Sequence, residues 1–180
     1  MSRITILEYT QANAEQQALL ESIRLQHGKV PNLFGVLANS PVALQSVLGL
    51  RGVVSGGSLT PQTRERIALA LAQQNACEYS LAVHTANGRK VGLTGDEIAS
   101  NRAGDSEDAR ASVAVRLARS LSQHKGEISS GELIEAREAG YSDSDIVEII
   151  IHVGLSLLTN ILGKASRIEV DFPKVALYTL

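Results

Sequence analysis

The chain has no tryptophan, one cysteine, one methionine and four prolines among its 180 residues, and aromatic residues make up only 3% of it. A core without large rings must be built from Leu, Ile, Val and Ala, which favours packed helices over a β-sandwich. A single cysteine excludes an internal disulfide and a four-cysteine zinc site. No charge of one sign dominates: 17 Lys and Arg against 19 Asp and Glu leave a net charge of −2. That balance gives no basic footprint for nucleic acid. The longest apolar stretch, Ile146 to Leu162, is interrupted by Glu148, His152, Thr159 and Asn160, so no membrane span is expected. The first eight residues lack the apolar run of a signal peptide, and a soluble cytoplasmic protein is the expectation. The four histidines show no His-x-x-x-His spacing, so no metal site is expected. Ser55-Gly56-Gly57-Ser58 lacks the lysine and helix of a phosphate loop.

Helix punctuation is what the chain does contain. Hydrophobic residues reach 44%, enough for one domain over residues 1–180 with a substantial core. Residues 1–10 read as an extended arm, and Ala12 to His27 as a helix stopped by Gly28. Ser40-Pro41 and Thr60-Pro61 are paired start signals: a capping hydroxyl, then proline at the first helical position. They open helices to about Val54 and about Gln74. A further helix begins near Cys77 and ends at Gly92. Thr94-x-x-Glu97 and Ser129-x-x-Glu132 read as capping boxes, with Asn101 to Asp105 a polar loop. Glu107 to His124 reads as an amphipathic helix. Ser142 opens the helix carrying Ile146 to Leu162, which is apolar nearly all round and so belongs in the core or a subunit interface. Ala165 to Leu180 reads as an extended tail, packed on the surface or on a neighbouring subunit.

The chemistry concentrates between Asn75 and His84. On a helix, Cys77, Ser80 and His84 occupy positions i, i+3 and i+7, so a thiol, a hydroxyl and an imidazole form one stripe. Unpaired N–H groups at a helix start favour an anion, and a nearby histidine can take the thiol proton. By residue type alone Cys77 reads as a buried, inert cysteine. Glu65 alone reads as an exposed helix residue pairing with Arg64 or Arg66. Tyr79 either donates to the relay or packs. His152 and Asn160, on the apolar helix, either line the site pocket or hold a structural or subunit contact, and the structural role is preferred.

The pattern resembles the AhpD-like and carboxymuconolactone decarboxylase families. Those families carry Cys-x-x-Cys-x-x-x-His at a helix start with a glutamate twelve residues before. Here the glutamate is Glu65, the first cysteine Cys77 and the histidine His84, while Ser80 stands where the second cysteine would be. The likeness continues through Leu59 to Arg66 and Thr85-Ala86 to Gly92-Leu93. Val30-Pro31-Asn32 and Asp171-Phe172-Pro173 resemble the ends of its longer, peroxidase-related branch.

The resemblance implies an all-α, single-domain fold assembled as a trimer or hexamer. It implies a thiol-dependent reduction of hydrogen peroxide or an alkyl hydroperoxide, with a thiol or dithiol reductant and no metal or organic cofactor. It assigns Cys77 the redox role, and His84 and Glu65 the proton relay. In the two-cysteine enzymes the second thiol attacks the peroxide and the first resolves it to a disulfide. Serine can do neither. Three readings follow: a one-cysteine variant resolved by an external thiol, an engineered substitution, or a degenerate member. A lactone decarboxylase, using a cationic pocket to stabilise a carbanion or enolate, and a non-catalytic oligomeric scaffold are the rival functions.

Overall fold

Side-chain caps set where the helices begin. The computed structural model describes residues 1–178, and among them a 3-10 turn (Tyr9–Gln11) precedes nine α-helices. In chain order these are α1 (Ala14–His27), α2 (Asn32–Leu37), α3 (Pro41–Ser55), α4 (Pro61–Gln74) and α5 (Glu78–Lys90). They continue with α6 (Gly95–Ala103), α7 (Ala109–Gln123), α8 (Ser130–Glu138) and α9 (Asp143–Ser166). Ser40 and Thr60 accept from the backbone N–H three residues on, and Pro41 and Pro61 follow where no N–H is needed. Ser129 with Glu132 and Ser142 with Asp145 form reciprocal capping boxes. Asn13 and Gln16 form another, which starts α1 later than its apolar spacing suggests.

The box at Thr94 is only half made. Thr94 accepts from the Glu97 N–H, but the Glu97 carboxylate turns inward and is 3% exposed. It accepts from Arg66 Nε at 2.5 Å, from Asn101 and Ser106 side chains, and from the Glu107 N–H. Burial alone would raise this carboxyl. The hydrogen bonds from Ser106, Glu107, Asn101 and Arg66 overcome that and hold it below its ordinary range. The same bonds draw Asn101 into the core, so α6 continues to Ala103 where the sequence suggests a polar loop.

The centre of the fold is α4. Every residue from Ile67 to Gln73 is buried, and α5, α6, α7 and α9 all pack on this helix. Ala68, Ala70 and Ala72 keep the neighbouring axes close. Helix α9, expected in the core or a subunit interface, buries one face within the chain. Ile146, Ile149 and Val153 point inward, while Val147, Ile150, Ile151, Leu158 and Ile161 are exposed. It is long and apolar enough to cross a membrane by length and composition; its inner face packs on α3, α4, α5 and α7. Val42 and Val53 extend the exposed apolar surface onto the adjoining α3.

Both ends of the chain fasten to its own body. Helix α9 runs to Ser166, beyond the start of the expected tail. The Arg3 N–H donates to the Ser166 carbonyl at 2.7 Å, and the Glu169 N–H donates to Ser2 Oγ at 3.0 Å. Asp171 accepts from Lys29 Nζ at 2.9 Å and from the Asn32 N–H at 3.3 Å. The Phe172 ring meets Tyr79 edge-on. Thus Val30-Pro31-Asn32 and Asp171-Phe172-Pro173, far apart in sequence, lie against each other. Arg102 donates to the Ala176 carbonyl and lies over the Tyr178 ring. The tail packs on its own chain rather than requiring a neighbour; its last two residues lie outside those described.

Glu97→Ala leaves Arg66 and several buried donors without an acceptor. It is expected to cost about 3 kcal/mol, read as a lower midpoint in urea unfolding. An unchanged midpoint would show that the buried network contributes nothing to stability.

Candidate active site

The turn between α4 and α5 fixes Cys77. The Cys77 N–H donates to the Ala72 carbonyl at 2.9 Å and the Ala76 N–H to the Gln73 carbonyl at 3.1 Å. This is a Schellman ending for α4, with Ala76 in the left-handed conformation at φ 50° where glycine is usual. Lys164 Nζ braces the turn from α9 by donating to the Asn75 carbonyl. Cys77 therefore closes one helix and is the N-cap of the next, and its thiol makes no capping bond. The thiol donates to Ser80 Oγ at 3.3 Å instead. Cys77 is 1% exposed and lies under Gly163 of α9, where a Cβ would come within 3.1 Å of its sulfur. A cavity of about 410 Å³ reaches it, lined by Tyr79, Lys164, Arg167 and Ile168 among others.

His84 lies farther along the same helix and has a different partner. Its Nδ1 is 2.7 Å from Glu65 Oε2 on α4. An ionised carboxylate only accepts, so Nδ1 is the donor in this pair and Nε2 is the ring nitrogen left without this partner. Glu65 thus pairs with His84 rather than with Arg64 or Arg66. The pair lines a second cavity of about 190 Å³ with Arg51, Arg64, His152 and Ser156. Among the described residues no hydrogen bond joins Cys77 or Ser80 to His84. The expected stripe resolves into two pairs, Cys77–Ser80 and Glu65–His84. Seven residues of helix rise about 10 Å, more than these side chains span directly.

The remaining candidates separate cleanly. Tyr79 OH accepts from the Leu33 N–H at 3.1 Å, and burial pushes its phenol well above the ordinary range. It anchors α2 and the tail while its body lines the Cys77 cavity. Asn160 is 2% exposed and donates to the Leu71 carbonyl, tying α9 to α4. His152 lines the His84 cavity, with its buried Nε2 lacking a partner. Arg51, Arg64, Ser156 and Thr159 were not singled out from sequence. One signal was present, because Arg51 is the lone charged residue of α3.

Residues 41–121 match the family model of the carboxymuconolactone decarboxylase family. The match spans a little under half of the chain and takes in α3 to α7. Three solved structures share its fold. A peroxidase-related protein from Ralstonia eutropha JMP134, described as an alkylhydroperoxidase AhpD core, is 23% identical with a TM-score of 0.83, covering 94% of this chain and 92% of its own. A peroxidase-related protein from Silicibacter sp. TM1040 is 24% identical with a TM-score of 0.79, covering 96% and 92%. The debrominase Bmp8, solved as a cysteine-to-alanine variant with 2,3,4-tribromopyrrole, is 13% identical with a TM-score of 0.79, covering 93% and 91%. These likenesses establish an all-α, AhpD-like fold. A search of curated proteins finds no significant match.

The matched segment contains Glu65, Cys77, Ser80 and His84, whereas His152 and Asn160 come from α9 beyond it. That helix supplies Gly163 over the thiol and His152 beside the imidazole–carboxylate pair.

Burial, with Arg64 adding repulsion, pushes the His152 imidazole down to about 4; Glu148 and Glu65 oppose the shift weakly. A folded pKa below the unfolded value means that the unfolded chain binds the extra proton. Stability should therefore fall as pH drops from about 6.5 toward about 4, by up to roughly 3 kcal/mol from this group. His152→Asn should flatten that part of the pH–stability profile. An equal slope in both proteins would assign the acid sensitivity elsewhere.

Proposed function

We propose that this protein is a thiol-dependent oxidoreductase of the AhpD-like and carboxymuconolactone decarboxylase kind that reduces small hydroperoxides through Cys77 alone. The observation that carries the reading is a free thiol at the start of α5, hydrogen-bonded to Ser80 and reached by its own cavity. The peroxidase-related names of two structural neighbours agree with it.

In the cycle, the Cys77 thiolate attacks a peroxide oxygen. The O–O bond breaks, the sulfur becomes a sulfenic acid, and the leaving oxygen takes a proton as an alcohol or water. One equivalent of an external thiol displaces water to give a mixed disulfide. A second thiol, or the other arm of a dithiol, restores Cys77 and leaves as a disulfide. Ser80 accepts the thiol hydrogen bond and steadies the thiolate by donating in return. His84, oriented by Glu65, exchanges protons with the thiol site only by way of Ser80, one helical turn before it. This cycle uses no metal or organic cofactor, and the unpaired thiol suits the reducing cytoplasm. A second copy of the chain covers the apolar face of α3 and α9, in line with the trimer or hexamer implied by the resemblance.

The test is intact mass after brief peroxide exposure with a sulfenic-acid trap, run beside Ser80→Cys. One adduct on Cys77, and an internal disulfide in Ser80→Cys, are expected. Failure of both proteins to react, with Cys77 open to a small alkylating probe, would sink the reading. A Cys77→Ala protein that still consumed a muconolactone would favour the decarboxylase instead. For assembly, Ile151→Lys places a charge on the exposed face of α9 and should lower the mass found by light scattering to that of one chain. An unchanged mass would remove this face from the assembly.

A further inference from the structure

The second cavity holds a cation without a counter-charge. Arg51 lines this cavity and also the adjoining one that holds Phe34, its guanidinium 5.7 Å from the centre of that ring; among the described residues it makes no hydrogen bond or ion pair. Burial disfavours its charge, and Glu65 offsets this only in part because that carboxylate is already held by His84. Arg64 is differently placed, donating to the carbonyls of Ser55 and Leu59 at 2.9 and 3.0 Å. Two arginines thus line the cavity against one carboxylate, and that carboxylate is already engaged by His84.

A second observation also points to a missing ligand. His152 is 9% exposed, and its buried Nε2 faces no protein partner. Buried polar groups in folded proteins are nearly always paired. Ser156 adds a hydroxyl beside it, while Val54, Ala68 and Leu155 make the rest of the wall apolar. At about 190 Å³ the space equals roughly six water volumes, which suits a ligand of about six heavy atoms.

We propose that this cavity binds a short aliphatic carboxylic acid as its anion, with the carboxylate on Arg51, Ser156 and His152 and the alkyl chain on Val54, Ala68 and Leu155. The planar guanidinium offers a carboxylate two parallel N–H donors, and neutral His152 can present Nε2–H. The site does not depend on Cys77, which lines the other cavity, so an inert thiol would leave it standing.

Calorimetric titration of the full chain with butyrate, butyramide and inorganic phosphate tests the assignment. Butyrate should bind at least tenfold more tightly than butyramide, which has the same shape without the charge. Arg51→Met should lose that binding while melting no lower than the parent, because it removes an uncompensated, largely buried cation. Ser156→Asp, which brings a carboxylate into the same space, should also abolish butyrate binding and raise the melting temperature. That variant decides the matter should Arg51→Met fail to fold. Equal binding of butyrate and butyramide, no heat from butyrate, or unchanged binding in Ser156→Asp would overturn the proposal. Tighter binding of phosphate than butyrate, lost in Arg51→Met, would overturn the carboxylate in favour of an inorganic oxyanion.

Discussion

The unbroken burial of α4 from Ile67 to Gln73 is the constraint on which the rest of the structure depends. A helix enclosed on every side must present small residues to several neighbours at once, and the alternation of alanine and leucine from Ala68 to Ala72 does this. Because α5 packs on α4, Glu65 can reach His84 from nineteen residues away. Because α9 packs there too, Gly163 can cover the Cys77 sulfur and Asn160 can reach the Leu71 carbonyl. The site is thus a by-product of one crowded axis, and bulkier residues along α4 would move both of its pairs together.

Much of this was legible in the sequence, and the failures have physical causes. The start signals at Ser40-Pro41 and Thr60-Pro61 worked because capping is decided within four residues. Asn101 failed because the Glu97 carboxylate that receives it is held inward by Arg66, Ser106 and Glu107. The apolarity of α9 left core and subunit interface equally open, because apolarity records what a surface avoids, not what covers it. The positions of Cys77, Ser80 and His84 were readable as a stripe, and Glu65 followed from the resemblance. Their division into two pairs was not readable, since it depends on helix rise and on neighbours supplied by α3 and α9. Arg51 was visible as a lone charge on α3, but nothing local revealed that its guanidinium would lack a partner.

The two cavities give α5 two chemical sides. One brings a thiol toward Lys164 and Arg167 near the tail; the other brings an imidazole–carboxylate pair toward Arg51 and His152. Ser80 is the element common to both descriptions, hydrogen-bonded to the thiol and one helical turn before the imidazole. In a two-cysteine relative that position would carry sulfur. Here it carries a hydroxyl, which can hold and pass a proton but cannot store oxidation.

The pairing of the chain's first and last segments bears on the order in which the molecule assembles. Ser2 and Arg3 bond to Glu169 and Ser166, contacts that close nearly the full length of the chain. Contacts so distant in sequence carry a large loop-closure entropy and gain little until the intervening helices have condensed. During synthesis the amino-terminal arm must wait for the end of α9 to emerge before it can dock. The helical body is therefore expected to form first, with the seam between the two ends closing last and opening first.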